Sequence, residues 1–322
     1  MCLWACPLRR FAQEFLAALS LCRVVTARLY SGTYLLSGGS GVRHIPALTL
    51  VAVLLCLASA SVLPAETALD RYVAKPDDAF AYGLYHTDTT LAYTSYFLEL
   101  TSQEWRQPEE VDRTLWEHEL QITVPSVRHS ASPETALLII NGGGNDRPFG
   151  TETGELLSTL AITSGSVVAM VSQIPNQPLS FSDETNRPRI EDAILAYSLD
   201  KYLTTEDPEW PVHVAMTKAV VRAMDAAQSF LSTQGIEVAD FVSIGGSKRG
   251  WTAWLAAAVD SRVKAFIPIS IDLLNLEKQF LHHWEGYGFY APSISDYVEF
   301  DLPCRVRTKR GQNLLRIIDH YT

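Results

Sequence analysis

Between residues 136 and 271 two hydrophobic patterns alternate along the chain. A continuous apolar run falls at 136–140, and largely apolar runs fall at 165–171, 240–244 and 263–271. Runs of that length suit strands buried on both faces of a sheet that helices cover. Between and beside them, apolar positions recur at helical spacing over 155–163, 190–203, 212–231 and 251–259. In the longest of these the stripe runs through Val214, Ala219, Val221, Met224, Ala227, Phe230 and Leu231, and Gly235 closes it. Strands alternating with helices predict an α/β fold, a mostly parallel sheet with helices on both faces. Upstream, 91–106 is rich in aromatic and β-branched residues with rough alternation, which predicts a strand or hairpin. A second strand is expected over 115–125, ended by Pro125, and a short amphipathic piece over 69–73.

One junction of these patterns carries candidate chemistry. The apolar run to Ile244 passes through Gly245-Gly246-Ser247-Lys248-Arg249-Gly250 into the helical stretch that starts at Trp251. Strand, Gly-framed turn with a central Ser, then helix is the layout of a nucleophile elbow, which stands a hydroxyl clear of the sheet. Gly245 and Gly246 are expected to tolerate a strained backbone and to leave room around the turn. The spacing departs from G-x-S-x-G, because Arg249 holds the place of the second Gly and Gly250 follows it. A second Gly-rich turn, Asn141-Gly142-Gly143-Gly144, follows the run at 136–140. In α/β-hydrolases such a loop and the residue after the nucleophile supply the N–H groups of the oxyanion hole. The candidates here are Gly143 or Gly144 with Lys248; the alternative is a plain strand-to-helix turn. Arg249 is either a binder of an acidic substrate group or one half of a structural ion pair.

A nucleophilic Ser needs a base held by an acid. After Ser247 the histidines are His282, His283 and His320, and Asp272 is the candidate acid, just past a predicted strand. The alternative for Asp272 is a cap on the next helix. No strand-then-loop His completes the set.

Composition narrows the partners. A formal charge of −10 over 322 residues argues against nucleic acid. There is no P-loop, no G-x-G-x-x-G after a strand and no zinc-like Cys/His spacing, so no cofactor and no metal are expected. Residues 1–60 carry Arg9, Arg10, Arg23, Arg28 and Arg43 against the single acid Glu14. Residues 45–57 are uncharged and apolar after Arg43-His44, and Ala58-Ser59-Ala60 follows. That is the pattern of a secretory signal with its cleavage site. The chain therefore divides into an upstream extension (1–44), a signal-peptide-like segment (45–60) and an α/β-hydrolase-like domain (61–322). Secretion is expected, with an uncleaved membrane anchor as the alternative and the only route to a membrane. Cleavage after Ala60 would leave Cys304 as the one cysteine, so no internal disulfide is expected.

Four blocks together resemble the PhoPQ-activated pathogenicity-related protein family: 141–145, 173–178, 191–197 with 207–211, and 246–260 with 271–275. The Ser-Lys-Arg-Gly-Trp block is the most specific, and the likeness runs from about residue 70 to the end. The resemblance implies an α/β-hydrolase-like fold and a serine hydrolase of esterase, amidase or peptidase type, acting on a small-molecule or peptide substrate. It also implies a further stretch beyond the Ile317-Ile318-Asp319-His320-Tyr321 block, holding a Gly-x-x-Asp-like acid and an Asn-x-x-His-like base. The chain is therefore expected to be incomplete at its C-terminus and inactive as written. The alternative is a non-catalytic secreted signalling or binding protein on the same scaffold, with a cell-surface partner.

Overall fold

The apolar runs at 136–140, 165–171 and 240–244 become the centre of one seven-stranded sheet in the computed structural model, which describes residues 66–319. The strands are β1 (Ala81–Thr89), β2 (Tyr93–Glu104), β3 (Leu115–Pro125), β4 (Thr135–Ile140), β5 (Val168–Val171), β6 (Asp240–Gly246) and β7 (Val263–Ile269). Their spatial order is β1-β2-β3-β5-β4-β6-β7. The four strands from β5 to β7 run parallel, and β1, β2 and β3 extend the sheet antiparallel. The sheet is thus mixed, with the parallel part where the buried runs predict it. The segments 1–44 and 45–60, and His320, lie outside the described residues.

Each face of the central strands has its own cover. Ala136, Leu138 and Ile140 of β4 and Ala169 and Val171 of β5 point into the main core. Opposite them, Leu137, Ile139, Val168 and Met170 pack with Leu157 and Ala161 of α2 (Glu155–Ser164). Period-two alternation within an apolar run therefore fills two cores at once, which is why these strands carry no polar face. The main core lies under α4 (Val212–Thr233), which packs on β2, β3 and β5, and α5 (Lys248–Val259), which packs on β6 and β7. The remaining helices are α1 (Ala68–Ala74), α3 (Asp192–Thr205), α6 (Leu276–Tyr287), α7 (Ser295–Glu299), α8 (Leu302–Arg305) and α9 (Lys309–Ile318). α1 starts on a capping box between Thr67 and Asp70. α9 is tied back to α5 by the Trp251 indole N–H, which donates to the Ile318 carbonyl at 2.6 Å.

Two strands differ from the hydrophobic pattern. β1 has no counterpart in it, because it is a sheet-edge strand with only partly buried positions, held by its antiparallel ladder to β2. β7 is expected as a strand buried on both faces, yet Ile267 and Ile269 are 45% and 48% exposed. One face packs on α5 through Phe266 and Trp254, with ring centroids 4.5 Å apart. The other face, with Ala265, Ile267 and Ile269, is covered by no described element, and among the described residues β6 is the only strand beside β7. Pro268 agrees with an edge position. The Ser247 N–H donates to the Ile269 carbonyl at 2.8 Å, so Ile269 faces β6. Successive residues face opposite ways, and Pro268 therefore turns its ring nitrogen, which has no N–H, to the open side.

The topology fixes where a site can form. From β4 the chain moves to β5 on one side and then returns to β6 on the other. A crevice opens at the C-terminal edge of such a switch point. Ile140 pairs with Gly245, so the Gly-rich loop after β4 and the turn after β6 leave the sheet side by side.

Candidate functional site

Ser247 caps α5 with φ 52° and ψ −126°, a conformation L-residues rarely adopt. Strain of this kind costs on the order of 1–3 kcal/mol and persists only where surroundings over-determine it. Here its N–H is held by Ile269 of β7, and its carbonyl accepts the Trp251 N–H at 3.1 Å. The result is an exposed Ser on a sharp strand-to-helix turn. The strain sits on Ser247 itself; neither Gly245 nor Gly246 has a positive φ. Gly245 supplies space instead. A Cβ there would lie 2.4 Å from the Arg249 carbonyl oxygen, because the first turn of α5 passes directly over it. Gly250, the displaced second glycine, meets Gly245 from the other side: its Cβ would lie 2.9 Å from the Gly245 oxygen. Around Gly246 there is open space.

The Gly-rich loop is braced from beneath by residues 173–178. Gln173 and Ile174 donate their N–H groups to the carbonyls of Gly142 and Asn141, both at 3.1 Å. Asn145 donates to the Gln177 carbonyl at 2.6 Å, and its side chain accepts the Gln177 N–H at 2.8 Å. Asn176 in turn grips the backbone of Glu117 in β3, accepting its N–H and donating to its carbonyl, each at 3.0 Å. Gly143 has φ 143°, which suits glycine alone. Among the described residues the N–H groups of Gly143, Gly144 and Lys248 donate to no protein acceptor. The loop also walls a cavity of about 210 Å³ with Glu119, Arg147 and Gln173.

Lys248 and Arg249 turn away from solvent, onto one carboxylate. Arg249 binds Glu191 in two parallel bonds of 2.6 and 2.7 Å, and its Nε donates to the Ile174 carbonyl at 2.6 Å. Lys248, 5% exposed, reaches Glu191 at 2.7 Å and Asp192 at 3.1 Å. Of the two readings of Arg249, the structure builds the ion pair. Burial of Glu191 works against its charge. The hydrogen bonds from Arg249, Lys248 and Gln177 outweigh that and hold its pKa down at about 2. Glu191 caps α3 with φ 52° and ψ −128°, nearly the backbone of Ser247. Its sequence position does not mark it as the partner of Arg249, because an acid in the first turn of a predicted helix reads as a favourable charge for the helix N-terminus. A buried Arg beside the elbow calls for a carboxylate, but only the packing of α3 against the turn says which one.

Among the described residues no hydrogen bond joins Asp272, His282 or His283 to Ser247. Asp272 is exposed, and its carboxylate accepts only a long bond, 3.4 Å, from Gln279 of α6. It does not cap α6 either; Asn275 does, accepting the Lys278 N–H. Asp319 supports the same helix end, accepting the N–H groups of Asn275 and Leu276 at 3.2 and 2.7 Å. His283 accepts the Ala291 N–H at 3.0 Å, and His282 is exposed on α6. Among the described residues no imidazole hydrogen-bonds to Ser247, and no group of three or more His, Cys, Asp or Glu is arranged to hold a metal.

A mixed sheet with a parallel centre, helices on both faces and a strained Ser at the central strand-to-helix turn define an α/β-hydrolase-like protein. Residues 69–322 match the PhoPQ-activated pathogenicity-related protein family, and the chain belongs to it. The chain is 38% identical over 234 residues to autocrine proliferation repressor protein A of Dictyostelium discoideum. That alignment covers 72% of this chain and 46% of the relative, so the chain spans about half the length of that protein. Among solved structures it is similar to an acetyl xylan esterase from Paenibacillus sp. R4, with TM-score 0.44 and 16% identity over 79% of this chain and 70% of that one. It is also similar to the glucuronoyl esterase from Solibacter usitatus, with TM-score 0.39 and 15% identity over 62% and 55%.

Proposed function

We propose that this chain carries the nucleophile and oxyanion-binding part of a secreted serine hydrolase that acts on an ester, amide or peptide bond. The observation that carries the reading is the backbone of Ser247, strained and exposed at the central turn. In this reading the Ser247 hydroxyl loses its proton to a base, its oxygen bonds to the substrate carbonyl carbon, and the tetrahedral oxyanion accepts N–H bonds from Lys248 and from Gly143 or Gly144. Collapse expels the alcohol or amine and leaves an acyl-enzyme that water hydrolyses. Each oxyanion donor is worth about 2.7–4 kcal/mol in hydrolases that use one. The N-terminus of α5 adds favourable potential at the same point.

The test is labelling with a fluorophosphonate ester and peptide mapping by mass spectrometry. Without an imidazole bonded to Ser247 the reaction should be slow, but the oxyanion donors alone retain part of the rate enhancement, so a single slow adduct on Ser247 in the native chain, absent from the urea-unfolded chain, is expected. No adduct at Ser247, or equal labelling in urea, overturns the reading.

A second reading is a non-catalytic secreted signalling protein on the same scaffold. The printed name of the Dictyostelium relative and the lack of an imidazole bonded to Ser247 among the described residues favour it. It requires that Ser247→Ala leave proliferation-repressing activity of conditioned medium unchanged, whereas the hydrolase reading requires that activity to fall. In both readings the segment 45–60 directs export, which N-terminal sequencing of the released protein checks; a start near Ser61 is expected.

A further inference from the structure

We infer that Glu191 is a positioning residue which, through Arg249, locks the Ser247 turn and the Gly-rich loop into one rigid frame. The inference rests on the hydrolase reading for its consequence, but its structural half stands alone. Two other pieces of chain meet at this carboxylate on the start of α3. The start of α5 reaches it through Lys248 and Arg249. The brace at 173–178 reaches it through Gln177, whose side-chain amide donates to Glu191 at 2.6 Å and accepts its N–H at 2.8 Å. Arg249 then extends the frame. Its Nε holds the Ile174 carbonyl, and its guanidinium lies so close to Gly142 that a Cβ on that residue would stand 2.6 Å from Nη2. One planar cation therefore touches α3, the brace, the Gly-rich loop and its own helix.

This arrangement accounts for the departure from G-x-S-x-G. A second glycine directly after Lys248 would leave the turn without a tie to the loop that faces it. Arg249 makes that tie, and the need for backbone clearance moves to Gly250. It also accounts for Gly142, which has no positive φ and is required for the flat face it offers the guanidinium. The fork geometry matters, since an ammonium cannot make two parallel bonds to a carboxylate while donating a third to Ile174. Ser247 and Glu191 hold the same rare backbone conformation at the starts of α5 and α3. The ion pair joins the residues beside one to the side chain of the other, so each strained cap is held by the other.

The experiment is hydrogen exchange combined with labelling kinetics on the full chain, comparing wild type with Glu191→Gln, Arg249→Lys and Gly142→Ala. Gly142→Ala keeps every ionic group and displaces only the far end of Arg249, so it guards against a variant that fails to fold. Amides of 141–145 and 246–250 are expected to exchange at least roughly 10-fold faster in all three, with α4 unchanged. The fluorophosphonate labelling rate at saturation is expected to fall about 10- to 100-fold, with the half-saturating concentration unchanged, as for a nucleophile displaced by a fraction of an ångström. Glu191→Gln combined with Arg249→Gln is expected to be no worse than either alone, because the pair acts as a unit. Unchanged exchange in the two loops overturns the frame. Faster exchange with an unchanged saturating rate overturns the positioning role. If wild type itself takes no label at Ser247, the hydrolase reading fails, and exchange alone then decides whether the frame exists.

Discussion

The turn around Ser247 allows an internal comparison, because the same chemical change at two adjacent glycines should have opposite effects. Gly245→Ala places a methyl 2.4 Å from the Arg249 carbonyl oxygen and 2.5 Å from its carbon, both backbone atoms in the first turn of α5. They cannot rotate away as a side chain would, so the strand end and helix start must separate. Overpacking of this kind costs about 1–3 kcal/mol, and occasionally more. Gly246→Ala meets nothing within 4 Å and has no positive φ. It reduces the freedom of the unfolded chain and should stabilise by about 0.4–1 kcal/mol. The two variants should therefore differ by roughly 1.5–4 kcal/mol. For a domain of this size that corresponds to about 3–16 °C in Tm. Urea unfolding followed by circular dichroism is the primary assay, with thermal melts beside it. The midpoint should fall for Gly245→Ala and hold or rise for Gly246→Ala, with equal slopes. If Gly245→Ala is as stable as Gly246→Ala, the turn is looser than described and the steric reason for the first glycine fails.

Two further predictions concern buried charge and protonation. Lys218 is 1% exposed and paired at 3.2 Å with Asp77, so Asp77→Ala strands a buried ammonium and should cost about 3–5 kcal/mol. Lys218→Met, which leaves Asp77 accepting the Glu104 and Ala79 N–H groups, should cost clearly less; the reverse order of urea midpoints would refute this. His118 is fully buried, with Nδ1 beside the Ser172 carbonyl at 3.0 Å and Nε2 beside the Ser102 hydroxyl at 2.9 Å. Burial pushes its pKa down to about 4, against the opposing pull of backbone hydrogen bonds. The unfolded chain takes up this proton near pH 6.5 and the folded chain does not until about 4. The stabilisation is therefore complete above pH 6.5 and is lost on acidification between those values, at about 1.4 kcal/mol per pH unit. His118→Gln should flatten the stability profile over that interval, and an unchanged slope would show that His118 does not contribute it.

Much of this organisation is legible along the chain because its causes are local. The apolar runs that became β4, β5 and β6 needed only their own composition, since a strand covered on both faces is apolar along most of its length. The turn at Ser247 was readable for the same reason: strand, glycines and helix follow one another within a few residues. Where the structure departs from the pattern, the cause is a neighbour. β1 exists through its ladder with β2 and has no hydrophobic stripe of its own. β7 is open on one face because no described element covers it, which its own apolar run does not reveal.

The candidate site divides along the same line. Ser247, Gly143, Gly144 and Lys248 could be named from sequence, because backbone geometry at a strand-to-helix turn is set by residues adjacent in the chain. The partner of Arg249 could not. Glu191 lies 58 residues away, and the choice of carboxylate is made only when α3 packs its start against the turn. Asp272 shows the converse: its place after a strand suggested an acid or a cap, and packing leaves its carboxylate exposed and gives the end of α6 to Asn275 and Asp319. Residue order alone carries the α/β alternation, the central Ser turn and the family. Which charges meet is settled by folding, because ion pairs between distant segments depend on how helices dock, and no local spacing encodes that.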